Sequence, residues 1–324
     1  MSMLSSILEM LGRTPGSKAS DDSYSEGARI LHEEKRSIKG KKERVAAIKA
    51  ERDLKPSHKW RNRRWASIII VNALFVLSFW LDIQLIEGSL SASRVVGFHF
   101  ADLNASLQVM LAYKQILINL VIGTATVLLL WWVLGGRTFC SWVCPYHLLS
   151  EFAEMIHLRF AAMKLVHDMP MHRGLRTVLY VVFVVLTFVS GYTVFEAISP
   201  VGILSRAMIY GPGFALIWVA ALLLFEIFVT RRAWCRYICP IGLTYGMVGV
   251  TAPVHVKFDL EKCLHEGDCR KICMVPHVLE PTKKGYALKE QVMLGADCTR
   301  CGMCVDKCPT HSLTFDVQGL NKLL

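Results

Sequence analysis

The run Cys298-Thr-Arg-Cys301-Gly-Met-Cys304-Val-Asp-Lys-Cys308-Pro309 decides the fold at the C-terminal end of this chain. Its spacing, C-x2-C-x2-C-x3-C-P, is the one by which two-cluster ferredoxins hold cubane iron–sulfur clusters. Three close thiolates grip one cluster, with Gly302 easing the tight loop, and the fourth, before proline, ligates a second. A structural zinc site is the plain alternative, but zinc favours two separated pairs of Cys or His. Four cysteines in one run at this spacing point to a cluster.

A partner run lies upstream. Cys263, Cys269 and Cys273 fit the same spacing, with Glu266 where the second Cys is expected and Met274 where proline normally follows. The crossing pattern of two-cluster domains groups Cys273 with Cys298, Cys301 and Cys304 on a complete [4Fe–4S] cluster. Cys263, Cys269 and Cys308 are left for the other, one thiolate short. Glu266 or the neighbouring His265 could serve as its fourth ligand, and the site would hold a [4Fe–4S] or an iron-depleted [3Fe–4S] cluster. The plainer reading leaves this second site empty and its cysteines merely buried.

Working outward, the totals describe the rest. The chain has 324 residues, 53% of them hydrophobic and only 19% charged, with a mean hydropathy of +0.39. That balance suits a membrane protein with a modest soluble module. The net charge of +11 would suit nucleic acid, but no basic stripe with interleaved aromatics occurs, so no nucleic-acid partner is expected. All eleven cysteines fall in motif-like runs, which indicates thiolates kept reduced for metal and not a disulfide scaffold. No P-loop, dinucleotide fingerprint or nucleophile triad is present. His147 does not complete a haem-attachment motif, and nothing supports an axial role for His157, His167 or His172.

Three regions follow from these patterns. Residues 1–59 read as a charged cytoplasmic arm without a signal peptide, disordered around Gly16–Gly27 and helical from Ala28 to Leu54. Within it Met3–Leu11 is weakly amphipathic and is expected to be solvated. Residues 60–250 hold four apolar segments, Ala66–Ile86, Ile116–Leu134, Leu175–Ile198 and Phe214–Thr230, each near the roughly 20 residues a bilayer-spanning helix needs. Cations crowd before the first, between the second and third, and after the fourth, which places both termini and residues 135–174 in the cytoplasm. Residues 251–324 form the iron–sulfur module. The fold expected is mainly α: a four-helix transmembrane bundle with a C-terminal α+β two-cluster ferredoxin-like module, multi-pass in a membrane whose cytoplasmic face is reducing.

The chain also repeats itself. Phe139-Cys140-Ser-Trp-Val-Cys144-Pro145 follows the second apolar segment, and Trp234-Cys235-Arg-Tyr-Ile-Cys239-Pro240 follows the fourth. Residues four apart on a helical turn share a face, and a proline forces the residue before it into extended geometry. One pair cannot satisfy a cluster, but Cys140, Cys144, Cys235 and Cys239 together supply four thiolates for a further iron–sulfur or thiol redox centre. The alternative is two pairs of small apolar residues capping helices.

At these motifs the chain resembles the NapH/MauN family of membrane ferredoxin-type proteins. The resemblance covers about Trp60 to Phe315 and rests on the blocks FCSWVCP, EAISPVGILSR, WCRYICPIGLTYGMVG, CLHEGDCRKICMVPHVL and DCTRCGMCVDKCP. It implies four transmembrane helices and an electron-transfer component of a quinol dehydrogenase, not a stand-alone enzyme. Quinol would be the donor, and electrons would pass toward a periplasmic iron–sulfur protein and cytochrome-type carriers, as in periplasmic nitrate reduction. Glu266, Met274 and the long arm depart from the family pattern. Two other roles fit the motifs: an electron donor for maturation of a metalloenzyme or cofactor, and a redox sensor or scaffold.

Quinol oxidation needs a proton acceptor, and ionisable residues at membrane depth are the candidates. Glu196 is the expected catalytic acceptor, because it lies in a family block near the outer end of the third segment. Glu226 reads instead as snorkelling toward a following arginine. Asp82 reads as a water-exposed helix end, and His99 as an interfacial histidine in an outer loop.

Overall fold

The computed structural model describes residues 3–13, 23–37, 58–82, 86–95 and 97–318, with isolated positions between 42 and 50. Most of the stretch expected to be disordered, and most of the expected arm helix beyond Ser37, lie outside those residues. Within them the chain is mainly helical, with two small antiparallel sheets.

The reading of Met3–Leu11 as solvated is corrected. Helix α1 (Met3–Met10) buries Met10, and Arg176 and Thr177 donate to the carbonyls of Met10 and Leu11, each at 2.9 Å. Helix α2 (Glu26–Arg36) opens on a Ser25 cap, presents Ala28 and His32 to the interior and turns Lys35 onto the Cys263 loop. Tyr24 donates to Gly285 O at 2.7 Å, so this part of the arm packs on the C-terminal module. A small residue on an otherwise charged helix was the only inward-facing signal.

Helix α3 (Lys59–Trp80) has 22 residues, about 33 Å at 1.5 Å per residue. Its first amides are capped from elsewhere: the Asp306 carboxylate accepts from Trp60 N at 2.9 Å and Arg61 N at 3.1 Å, which also suits the helix dipole. Among the described residues α3 is the one helix long and apolar enough to cross a membrane. The other apolar segments form shorter helices, α5 (Ile118–Leu134), α8 (Leu175–Ser190) and α11 (Ala215–Phe228). The third expected segment is cut where Gly191 turns left-handed at φ 65°, and α9 (Val194–Ile198) follows separately.

Two elements escaped the pattern reading. The expected outer loop is a three-stranded meander, β1 (Ile86–Ser89), β2 (Ala92–Val95) and β3 (Phe98–Ala101), in which His99 pairs with Arg94. Two 11-residue helices, α4 (Leu103–Tyr113) and α10 (Pro200–Tyr210), each precede an apolar helix. Both start on a capping-type residue. The Asp102 carboxylate accepts from Asn104 N and Ala105 N, and Ser199 precedes the N-terminal proline of α10. The repeat is therefore longer than the cysteines indicate: short helix, apolar helix, Cys-x3-Cys-Pro turn, following helix. The following helices are α7 (Pro145–Ala162) in the first copy, after the short α6 (Thr138–Trp142), and α12 (Ile241–Val248) in the second.

The C-terminal module is built on β4 (Val254–Asp259), flanked by β5 (Gln291–Met293) and β6 (Leu313–Val317), all antiparallel. Val256, Phe258, Leu260, Leu279 and Leu313 form its core together with Cys263, Cys273, Cys298 and Cys304, and Ala28 of α2 joins them. A second core, in the helical part, gathers Trp131, Phe139, Tyr146, Phe195, Trp234 and Tyr245 around Cys144 and Cys239. Each set of cysteines thus sits inside its own apolar core.

Candidate iron–sulfur sites

The two Cys-x3-Cys-Pro turns meet. Cys140, Cys144, Cys235 and Cys239 all line one cavity, with Phe139, Tyr146, Val201 and Trp234 as apolar walls. Each turn is made the same way. Cys140 lies on α6 and Cys235 on a π-helical turn, Trp234–Ile238. The second cysteine of each pair is extended before its proline, ψ 118° at Cys144 and 114° at Cys239, as the proline ring requires. Gly136, at φ 72°, lets the first turn approach the Gly249 backbone so closely that a Cβ would fall 2.4 Å from Gly249 Cα.

Among the described residues one cation lines this cavity. Arg137 lines it and donates to Cys235 O at 3.3 Å, and its charge acts on Cys140, Cys239 and Cys235. Burial opposes ionisation of the thiols: it pushes Cys239 up to about 12 and raises Cys140, although Arg137 pulls Cys140 back. A protein that raises four thiol pKa values in one apolar hollow makes thiolates only when a cationic centre replaces the protons.

The ferredoxin module brings together the groups its spacing foretells. Cys273 lies close enough to Cys301 and Cys298 for their charges to raise its pKa beyond what burial does, and Cys304 feels Cys301, Cys273 and Cys298 in the same way. Cys263, Cys269 and Cys308 line a separate hollow of about 400 Å³ together with His265, Glu266 and Thr282. There the sulfurs have polar company. His265 N donates to Cys263 Sγ at 3.4 Å, Thr282 Oγ1 lies 3.8 Å from Cys269 Sγ, and Ser312 Oγ lies 3.1 Å from Cys308 Sγ. Lys35 of α2 clamps the Cys263 loop, donating to the carbonyls of Leu260, Glu261 and Cys263 at 2.6, 2.9 and 2.6 Å.

Among the described residues no three Cys, His, Asp or Glu side chains converge closely enough for a single metal ion. The thiols rim hollows instead of meeting at a point, which suits a multi-atom core better than a tetrahedral zinc. No disulfide joins any of the eleven cysteines.

The module is seated on the two turns. Ser141 donates to Thr299 O at 2.7 Å and Trp142 Nε1 to Arg300 O at 3.1 Å. Arg236 donates to Met274 O at 2.7 Å and Cys273 O at 3.2 Å. Arg137 donates to Asp297. Met274 itself lines the four-thiol cavity. Sequence reasoning gave none of these residues a seating role; it registered Cys273 as a ligand and Met274 only as a lost proline. An arginine beside a cysteine carries no signal until its partner loop is located.

The carboxylate candidates separate. Glu226 is fully buried and accepts from Ser150 Oγ at 2.6 Å and Trp234 N at 3.0 Å. The snorkelling reading is thereby corrected, since Arg231 pairs with Asp168 and Arg232 with Glu154. Glu196 on α9 is half-buried, accepts from the Ser91 hydroxyl, and lies over Gly202 in the first turn of α10. His99 and Asp82 are exposed. His147 is enclosed by Arg64, Arg232 and Glu151, and His157 is bound to Ile227 O at 2.7 Å.

Buried thiols in ferredoxin spacing, on a module docked over a second four-thiol hollow, define an iron–sulfur electron-transfer protein. A family profile described as a 4Fe-4S binding domain matches residues 117–161 and again 212–258, the two copies of the repeat, and a second 4Fe-4S binding profile matches residues 296–314. The methylamine utilization ferredoxin-type protein MauN of Methylorubrum extorquens is 30% identical over 85% of this chain and 96% of its own length. The ferredoxin-type protein NapH of Escherichia coli is 31% identical over 79% of this chain and 90% of its own. No solved structure matches. The chain belongs to the NapH/MauN family of ferredoxin-type proteins.

Proposed function

We propose that the chain is a multi-pass protein of a bacterial inner membrane, with both termini in the cytoplasm, that passes electrons from quinol toward a periplasmic reductase. Three regions divide the work: the arm to residue 59, the helical domain 60–250, and the iron–sulfur module 251–324. The observation that carries the reading is the convergence of Cys140, Cys144, Cys235 and Cys239 on one buried hollow directly beneath the Cys273 loop.

The surface supports membrane residence. Ile69, Ile70 and Leu77 on α3, Ile118, Leu129 and Val133 on α5, Val178, Val181 and Val189 on α8, and Ile217 and Leu224 on α11 all face outward. Arg64, Asn72, Thr187 and Glu226 on three of the same helices are buried. Apolar residues outside and polar ones inside is the arrangement a lipid solvent selects, and patches of this extent are not left facing water. On this reading α4 and α10 are half-helices entering the bilayer beside shortened spans, irregular backbone being tolerated where protein covers it.

The donor sets fit iron–sulfur cores: four thiols at 140, 144, 235 and 239; four at 273, 298, 301 and 304; three at 263, 269 and 308, with Glu266 and His265 beside them. When bound, such cores supply one-electron chemistry. The chain's own residues then hold the geometry and move protons. Phe139, Tyr146 and Trp234 exclude water from the four-thiol hollow. Glu196, oriented by Ser91 and placed at the α10 N-terminus, accepts the quinol proton. Electrons leave for a periplasmic iron–sulfur protein and cytochrome-type carriers.

A second reading is favoured by the MauN relatives, which are named for methylamine utilization: electron donation during maturation of an amine-oxidising enzyme's cofactor. The test is anaerobic addition of a reduced quinol analogue to the protein in lipid. The expected result is bleaching of the iron–sulfur absorbance, slowed roughly 100-fold or more in Glu196→Gln, the usual scale for losing a proton acceptor. Bleaching at an unchanged rate in that variant removes Glu196 from the role. Clusters that dithionite reduces and quinol never does remove the quinol reading.

A further inference from the structure

Met274 is one residue past Cys273, a thiol of the complete ferredoxin set, and its side chain is 3% exposed. It lines the four-thiol cavity with Cys140, Cys144, Cys235 and Cys239, and among the described residues it is the one from the C-terminal module that does so. A single dipeptide therefore reaches two thiol sites, with a thiol at one end and a thioether at the other.

Its position is enforced. Arg236, the neighbour of Cys235, donates through Nε to Met274 O at 2.7 Å and through Nη2 to Cys273 O at 3.2 Å. Two hydrogen bonds from one planar guanidinium fix both distance and orientation. The contacts that Arg137, Ser141 and Trp142 make across the seam end on residues 297–300, none of which lines the cavity. Met is also the apolar side chain best suited to fill an irregular gap, with a polarisable sulfur at its end.

We propose that Met274 is the contact through which an electron passes between the four-thiol site and the site of Cys273, Cys298, Cys301 and Cys304. This rests on the reading that both sites hold iron–sulfur cores. Tunnelling weakens steeply with every ångström of unfilled gap, and Met274 fills the gap between the two. One electron moves, one centre is oxidised by one unit and the other reduced by one unit, and no bond or proton is exchanged. Among the described residues the three-thiol hollow is lined by residues between 263 and 313 and shares none of them with the four-thiol cavity.

The test uses the full-length, iron-loaded protein in lipid nanodiscs under anaerobic conditions. A photoreduced flavin injects an electron, and its redistribution between the sites is followed by rapid-freeze electron paramagnetic resonance. Quinol is not involved, so failure of the quinol reading leaves this test standing. In Met274→Ala, iron content, signal positions and midpoint potentials are expected to match the parent, while redistribution slows by roughly an order of magnitude. Met274→Leu, which conserves volume, recovers most of the rate. An unchanged rate in Met274→Ala with full iron overturns the proposal. So does selective loss of iron from the four-thiol site in Met274→Ala, which would make the residue a seal. A parent protein whose iron count leaves the four-thiol site empty removes the reading beneath the proposal.

Discussion

Arg137 Nη1 lies 2.5 Å from Asp297 Oδ1 and 2.9 Å from the Asp297 carbonyl, joining the first cysteine turn to the residue before Cys298. Arg176 shares the same oxygen at 3.0 Å, and the His277 ring lies 2.8 Å from the other. Burial pushes the Asp297 carboxyl up, but Arg137 and Arg176 outweigh it and hold the group well below the ordinary carboxylate range. Two cations and one anion out of water form a set that tolerates no deletion. Asp297→Asn strands both guanidiniums and is expected to cost about 3–5 kcal/mol. Chemical denaturation in detergent measures it. Arg137→Gln added to Asp297→Asn should recover part of the loss, because the two share one interaction; strictly additive losses would show that the pair is not coupled.

Serine at Cys144 and Cys239 together is expected to remove about four iron atoms per chain, one cubane core. The ferredoxin signals should persist, because those cysteines wall a different core. Serine at Cys304 should remove the complete ferredoxin cluster instead. Iron analysis with low-temperature magnetic resonance on each variant checks both, and an unaltered iron count in the first would empty the four-thiol hollow of any metal role.

What could be read in advance followed from local chemistry. The thiol run Cys298, Cys301 and Cys304 and the extended residue before each proline depend on spacing within a few residues, while the meeting of the two Cys-x3-Cys-Pro turns was signalled by the motif occurring twice. The apolar periodicity located α3, α5, α8 and α11 but lengthened the last three, because hydropathy does not register Gly191 ending α8. Helices α4 and α10 were hidden by polar residues such as Asn104, Gln108 and Ser205, whose burial is decided by partners far along the chain. The β1–β3 meander has strands of only four residues each, too short for alternation to stand out. Lys35, Arg236 and Asp297 act across 37 to 228 residues of sequence, a range over which no pattern rule reaches.

Glu266 lines the three-thiol hollow at the place where the motif calls for cysteine. Glu266→Cys should complete the set and let the site hold a stable [4Fe–4S] cluster. The expected result is about eight irons in the ferredoxin module and slower loss of iron in air. Equal air sensitivity in parent and variant would mean that the native fourth ligand already secures the site.

His147 offers a pH signature for the helical part. Its ring lies in a buried cage with the guanidiniums of Arg64 and Arg232 against Nε2 and the Glu151 carboxylate 3.9 Å away, while Glu154 neutralises Arg232. Burial comes first, then Arg232 and Arg64, in holding the imidazole well below its usual pKa. In the folded protein it stays neutral on mild acidification, whereas the unfolded chain takes up a proton as the pH falls through about 6.5. The unfolded state then binds more protons, so stability is full above that pH and declines below it, by at most about 1.4 kcal/mol per pH unit from this one group. Other carboxylates and histidines titrate alike in the parent and in His147→Gln. The difference in unfolding free energy between the two should therefore change by about 1 kcal/mol between pH 7.5 and 5.5, the parent losing more. If the two proteins lose stability in parallel on acidification, the imidazole is protonated inside its cage and the two arginines do not face it as described.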